Sequence, residues 1–212
     1  MALRFWIWTA LLTLTPSLFA TDCSVLNKRW QSRFHQAFGV EGKKEFFECV
    51  DTQKNFVIAQ ALDDLYETDL GHNYYETARR LIHKLTLAPS CEDRVAAFMG
   101  KQNKVSLCDP FFKLSRLRRA AILFHEASHG RAKDPAHVVC LAGEAKGKDT
   151  CDATLSDGYE GSGYNWEAHY VRYVSQNSTD NDLKKAAQDH LKFLLENRIN
   201  NLSEQTKKAW LD

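Results

Sequence analysis

The stretch Ser115 to Gly130, SRLRRAAILFHEASHG, constrains this chain more than any other. It holds His125, Glu126 and His129 in the pattern HExxH. Residues four apart share one face of an α-helix, so both imidazoles stand side by side with Glu126 one position along. That pairing supplies two nitrogen ligands for a metal ion and a carboxylate that can take a proton. A chance HExxH arises in roughly two of a hundred chains of this composition, so context must carry part of the argument. Leu117, Ala120, Ala121, Leu123, Phe124 and Ala127 make the segment apolar enough to be a buried helix. Gly130 stands where such a helix stops. Ala127 and Ser128 are small and uncharged, so nothing bulky crowds the ligand pair.

The 212 residues fit one domain, and a formal charge of +1 gives no basic excess for nucleic acid. The N-terminus has the three parts of a secretory signal peptide: basic Met1 to Arg4, apolar Phe5 to Phe19, and small Ala20 before Thr21. We therefore read residues 1–20 as the signal and 21–212 as one exported domain, secreted or periplasmic. The apolar run is short for a membrane span, so no stable membrane insertion is expected after cleavage. Export turns the six cysteines into disulfide candidates. Local closure favours Cys91–Cys108 and Cys140–Cys151, which leaves Cys23–Cys49. No CxxC pair offers a thiolate metal site.

The domain divides into a helical part, 21–88, and a part carrying the motif, 89–212. Apolar residues at helical spacing predict helices over Ser24–Phe38, Glu45–Leu65 and Tyr75–Leu85. Arg94–Met99 and Val105–Cys108, separated by Gly100 to Asn103, predict a β-hairpin beside the motif helix. Such an edge can bind an extended peptide by adding it as a strand. Cys140 to Gly163, rich in Gly and Asp, reads as a long loop arching over the site. Helices over Asn165–Val174 and Asp182–Ile199 follow. His35, His72 and His83 have no ligand-spaced partner and read as surface or packed histidines; His190, on the apolar face of the last helix, reads as a satisfied core histidine. The fold class expected is α+β, mainly helical, with a small antiparallel sheet beside the metal helix.

Val105 to His129, VSLCDPFFKLSRLRRAAILFHEASH, resembles the deuterolysin family of zinc peptidases, the aspzincins, which include the fungal peptidyl-lysine endopeptidases. The likeness rests on Cys108, Pro110, Phe111 and Phe112 followed by the HExxH helix, and extends from Cys91 to about Tyr173. It implies a zincin-like domain that holds Zn2+ and cleaves protein or peptide substrates. It also implies an aspartate as third ligand soon after the second histidine. Asp134 stands in that region; the family's Gly-Thr pair is absent, the loop is shorter, and His137 replaces a tyrosine. Glu167, Asp157 and His137 are alternative third ligands. In this reading Glu126 is the general base, and His137 or a loop tyrosine, Tyr159 or Tyr164, stabilises the oxyanion. In lysine-specific members two acidic residues hold the substrate lysine; Ser162 and Asn165 stand there here, so lysine specificity is not implied. The function expected is an exported zinc metalloendopeptidase. Its alternatives are a non-catalytic metal- or protein-binding module on the same fold, and a zinc hydrolase of cell-wall peptides. Nothing in the sequence fixes the oligomeric state.

Overall fold

The computed structural model describes residues 53–67, 84–88, 91, 94–99, 104–131, 136–156 and 161–212. Within them the chain is α+β and mainly helical. In chain order, α1 spans Gln53–Glu67, β1 Lys84–Ala88, β2 Ala96–Met99 and β3 Lys104–Cys108. A 3-10 turn, Asp109–Lys113, leads into α2, Arg116–Ser128. Then come β4, Val138–Val139, and β5, Asp149–Cys151. Three helices follow: α3, Gly163–Asn177; α4, Asn181–Asn197; and α5, Glu204–Leu211.

The motif helix α2 is the centre of the packing. From Arg119 to Ser128 every residue is buried. A helix buried all round has to be covered on several sides. Here α1 and α3 pack on it as helices, with β2 against it as well. Ile58, Ala61, Leu62 and Leu65 of α1 and Trp166, Tyr170, Val171 and Val174 of α3 join Leu117, Ala120, Leu123 and Phe124 in one core. Phe124 meets Trp166 at 4.8 Å between ring centroids and Tyr170 at 6.4 Å. The Ser115 hydroxyl caps α2 by accepting from the Arg118 amide at 3.4 Å. The helix ends in three i to i−3 bonds: His129 to Glu126, Gly130 to Ala127 and Arg131 to Ser128, at 3.2, 3.0 and 3.2 Å.

The hairpin of β2 and β3 forms as expected, with Phe98 opposite Val105 and Ala96 opposite Leu107. The sheet is mixed, however, in the order β1-β3-β2, because β1 joins β3 in parallel. Residues 84 and 85 are therefore strand, where helical spacing had extended a helix to Leu85. The reason is alternation: Leu85, Val105 and Leu107 are fully buried on one side. On the other, Thr86 and Ser106 satisfy each other, hydroxyl to hydroxyl at 3.2 Å. Cys91–Cys108 ties the sheet to its own approach, with Cα atoms 5.8 Å apart. β2 lies at the sheet edge and brings the Phe98 ring to 6.4 Å from that of His129.

The segment read as one long loop contains a second hairpin. β4 and β5 pair antiparallel, Val138 opposite Cys151, and Cys140–Cys151 closes them with Cα atoms 5.0 Å apart. Both locally closed disulfide pairs thus form, and they point to an oxidising compartment. Cys23–Cys49, the signal segment and the helices expected over Ser24–Phe38 and most of Tyr75–Leu85 lie outside the described residues. Among the described residues no helix is long and apolar enough to cross a membrane. The C-terminal α5 was not foreseen. Its cap is legible in retrospect: the Ser203 hydroxyl accepts from the Thr206 amide at 3.0 Å, and Glu204 opens the first turn. Its anchor is Trp210, buried under the Arg172 guanidinium at 4.7 Å and against His169 at 4.8 Å.

Candidate metal centre

Two of the three imidazoles at the centre come from one helix face. His125 lies in the last turn of α2 and His129 caps it. The third is His137, one residue before β4. The ring centroids form a nearly equilateral triangle: 5.2 Å from His125 to His129, 5.3 Å from His125 to His137, and 5.0 Å from His129 to His137. One nitrogen from each lies within 4.8 Å of the other two, close enough for a single ion to take all three. The group could hold a metal ion.

The surroundings suit a cation. The Nδ1–H of His125 donates to Glu167 Oε2 at 3.1 Å, and the Nδ1–H of His137 to Asp152 Oδ1 at 3.1 Å. A carboxylate on one ring nitrogen fixes the tautomer and makes the other nitrogen a better ligand. Both carboxylates are buried. Burial pushes Asp152 up, but bonds from His137, Ser162 and Asn165 outweigh it and hold it below the usual carboxylate range. Burial also opposes ionisation of Glu167; hydrogen bonds from His125 and His190 reverse that and hold it far down. On His125 burial works against the cation, yet Glu167 foremost, with Glu126 and Asp152, leaves its proton affinity raised. The site therefore sets two buried carboxylates behind the three imidazoles, each accepting from one of them.

Asp152 is the most heavily held group. It accepts from Asn165 N and Nδ2, both at 2.8 Å on Oδ2, and from the Ser162 hydroxyl and His137 on Oδ1. Its backbone bridges Arg198 and Asn200, donating to the first at 2.8 Å and accepting from the second at 2.9 Å. Ser162 and Asn165 both serve to fix this carboxylate. Gly163, the first residue of α3, lies so close to His125 that a Cβ there would stand 2.4 Å from Nε2. Arg131 ties the end of α2 to the start of α3, donating to Ser128 O at 3.1 Å and to Gly161 O, with its guanidinium 5.0 Å above the Trp166 ring.

Of the residues singled out in the sequence, His125, Glu126, His129, His137 and Tyr164 come together. Glu126 is buried and close enough to add to the field on His125 and Tyr164. The Tyr164 ring packs edge-on to His125 at 4.4 Å and lies 5.2 Å from His137. Burial first, then the Glu167 charge, raises its pKa, so its hydroxyl keeps its proton and remains a donor. Asp134, Asp157 and Tyr159 lie outside the described residues. Glu167 supports His125 from behind as a hydrogen-bond acceptor. Sequence reasoning missed Asp152 altogether, although closing Cys140 onto Cys151 already sets residues 137 and 152 against each other. It also missed the link from His190 to Glu167.

An open groove of about 470 Å³ lies elsewhere, lined among others by Asp64, Arg116, Tyr170, Tyr173 and Leu183. It shares no residue with the histidine group, so its size says nothing about the chemistry. A scan against protein-family models and searches of the curated proteins and of the solved structures each found no match to this chain.

Proposed function

We propose that this protein is an exported zinc-dependent endopeptidase of deuterolysin-like character, with His125, His129 and His137 as its metal ligands. The observation that carries the reading is the triangle of imidazoles with Glu126 in the same helical turn. The donor set fits zinc: three imidazoles, two of them backed by carboxylates, would hold the ion. Zinc held there would lower the pKa of a bound water toward neutrality and polarise a substrate carbonyl.

The chain's own residues do the rest. Glu126 takes the proton from the attacking water and delivers it to the departing amine. Tyr164, kept protonated, offers its hydroxyl to the oxygen on which negative charge develops. Glu167 and Asp152 hold His125 and His137 in one tautomer and one orientation through the cycle. The edge of β2, which pairs only with β3 among the described residues and lies beside His129, accepts an extended peptide backbone as an added strand. With His137 as a ligand, the third donor departs from the aspartate of the family that the sequence resembles, and Asp134 is not required.

The test is hydrolysis of an unfolded protein by the purified, zinc-loaded chain. Glu126→Gln should keep stoichiometric zinc and lose at least about a hundredfold in turnover. A chelator should abolish cleavage, and added zinc should restore it. Unchanged turnover in Glu126→Gln sinks the proposal. Cleavage of cell-wall peptides in place of proteins would move the substrate class and leave the mechanism standing.

A further inference from the structure

Of the two carboxylates behind the imidazoles, Glu167 is held from a third helix. His190 of α4 donates from Nε2 to Glu167 Oε1 at 2.7 Å, while His125 of α2 donates to the other oxygen at 3.1 Å. Glu167 itself lies on α3. One carboxylate thus joins three helices in a line, His190–Glu167–His125, and the side chain of Glu167 is 4% exposed. A buried carboxylate can only accept, so both facing nitrogens carry protons. For His125 this leaves Nε2 with its lone pair free.

We propose that His190 is a positioning residue for the metal ligand His125, acting through Glu167, and that α4 is in this way part of the metal centre. This rests on the metal-site reading above. The shorter of the two bonds on Glu167 comes from the residue that touches no metal ligand. Removing that donor leaves the buried Oε1 without its protein partner, and the carboxylate turns to find another. A turned Glu167 no longer meets His125 Nδ1 in line, and the ring loses its orientation. The His190 ring has a second neighbour, Phe193, stacked within 10° of parallel at 6.2 Å. Packing and hydrogen bonding are therefore separable at this position.

The test measures zinc affinity by competition with a chromophoric chelator, and the visible spectrum of the cobalt-substituted protein, for the full mature chain. His190→Leu should bind about tenfold more weakly and change the cobalt spectrum, at the lower end of the effect of losing a direct partner of a ligating imidazole. His190→Gln, which returns a donor near the original nitrogen, should come within about threefold of the parent. Phe193→Leu, which removes the stacking and keeps the donor, should leave the affinity unchanged. Should His190→Leu fail to fold, His190→Asn takes its place, its amide one methylene short of Glu167. Parent affinity in the variant without the donor, or a Gln variant as weak as the Leu variant, overturns the proposal. Absence of stoichiometric metal in the parent chain overturns the metal reading itself, which is a different failure.

Discussion

Gly163→Ala adds one methyl group directly against His125. The new Cβ would stand 2.4 Å from His125 Nε2, 2.5 Å from Cδ2 and 2.6 Å from Cε1, where ordinary contact begins at 3.4 Å. The ring must therefore recede by about 1 Å, and it is not free to do so without cost, because its Nδ1 is tied to Glu167. A ligand displaced by that amount should lose roughly ten- to a hundredfold in metal affinity, or about 1.4 to 2.8 kcal/mol. The metal-free fold responds differently. Alanine in place of glycine also restricts the unfolded chain, a gain of about 0.4 to 1 kcal/mol that offsets part of the local crowding. The expected signature is a metal-free melting temperature lowered by at most a few degrees with a clearly weaker zinc complex. Competition titration at neutral pH, paired with thermal melts with and without zinc, reads both. A Gly163→Ala protein that binds zinc as tightly as the parent refutes the idea that α3 presses on a ligating imidazole.

Asp152→Asn keeps the shape and removes the charge that holds His137; zinc affinity should fall about ten- to a hundredfold. The metal-free protein should also lose at least about 2 kcal/mol in chemical denaturation, since an amide cannot accept all four donors around that position. The two disulfides close loops of similar length, with separations of 17 and 11 residues, so replacing either pair by serine should cost about 3 kcal/mol of stability. Only the Cys140→Ser/Cys151→Ser pair should also weaken zinc binding, because only that bridge lies between His137 and Asp152; equal effects on zinc from both pairs would contradict this. Gly147→Ala is the remote control: its Cβ meets nothing within 4 Å but its φ is +86°, so it should lose about 1 kcal/mol in the melt and leave zinc titrations unchanged.

What the sequence revealed and what it hid follows from the range of each interaction. The HExxH pair and its helix are local: spacing alone puts His125 and His129 on one face, and the apolar residues around them require burial. The hairpin of β2 and β3 is local for the same reason. The third nitrogen is not. His137 is eight residues past His129, beyond the reach of a single helix, and its place is set by a hairpin whose two arms are only two and three residues long. That hairpin was hard to read because its strands carry little apolar alternation: Val139 is 47% exposed, and Cys140, Ala145 and Cys151 form a small cluster of their own. Polar bonds fasten it instead. The Asn200 side chain accepts from Leu141 N at 2.9 Å and donates to Val139 O at 2.8 Å. The parallel β1 was obscured because its apolar residues also fit a helical period over so short a run. Glu167 was read as a ligand candidate because its type and position suited one; only the fold shows that His125 and His190 occupy its two oxygens.

The three imidazoles are therefore held by three different kinds of restraint, and the differences matter for how the centre assembles. His125 is wedged between Glu167 and Gly163 within the packed helices, so its geometry comes with the core. His129 sits at the end of α2, where tightened backbone bonds close the helix and the Phe98 ring lies 6.4 Å away. His137 depends on Asp152, and Asp152 depends on the beginning of α3, the end of α4 and the closed hairpin at once. A carboxylate buried under that many donors is costly to bring out of water unless every bond is made together. The third ligand should therefore be the last to take its place as the chain folds, and should do so only after Cys140 and Cys151 have joined. On the proposed function, that sequence of events completes the histidine group only in an oxidising compartment, after Cys140 and Cys151 have joined.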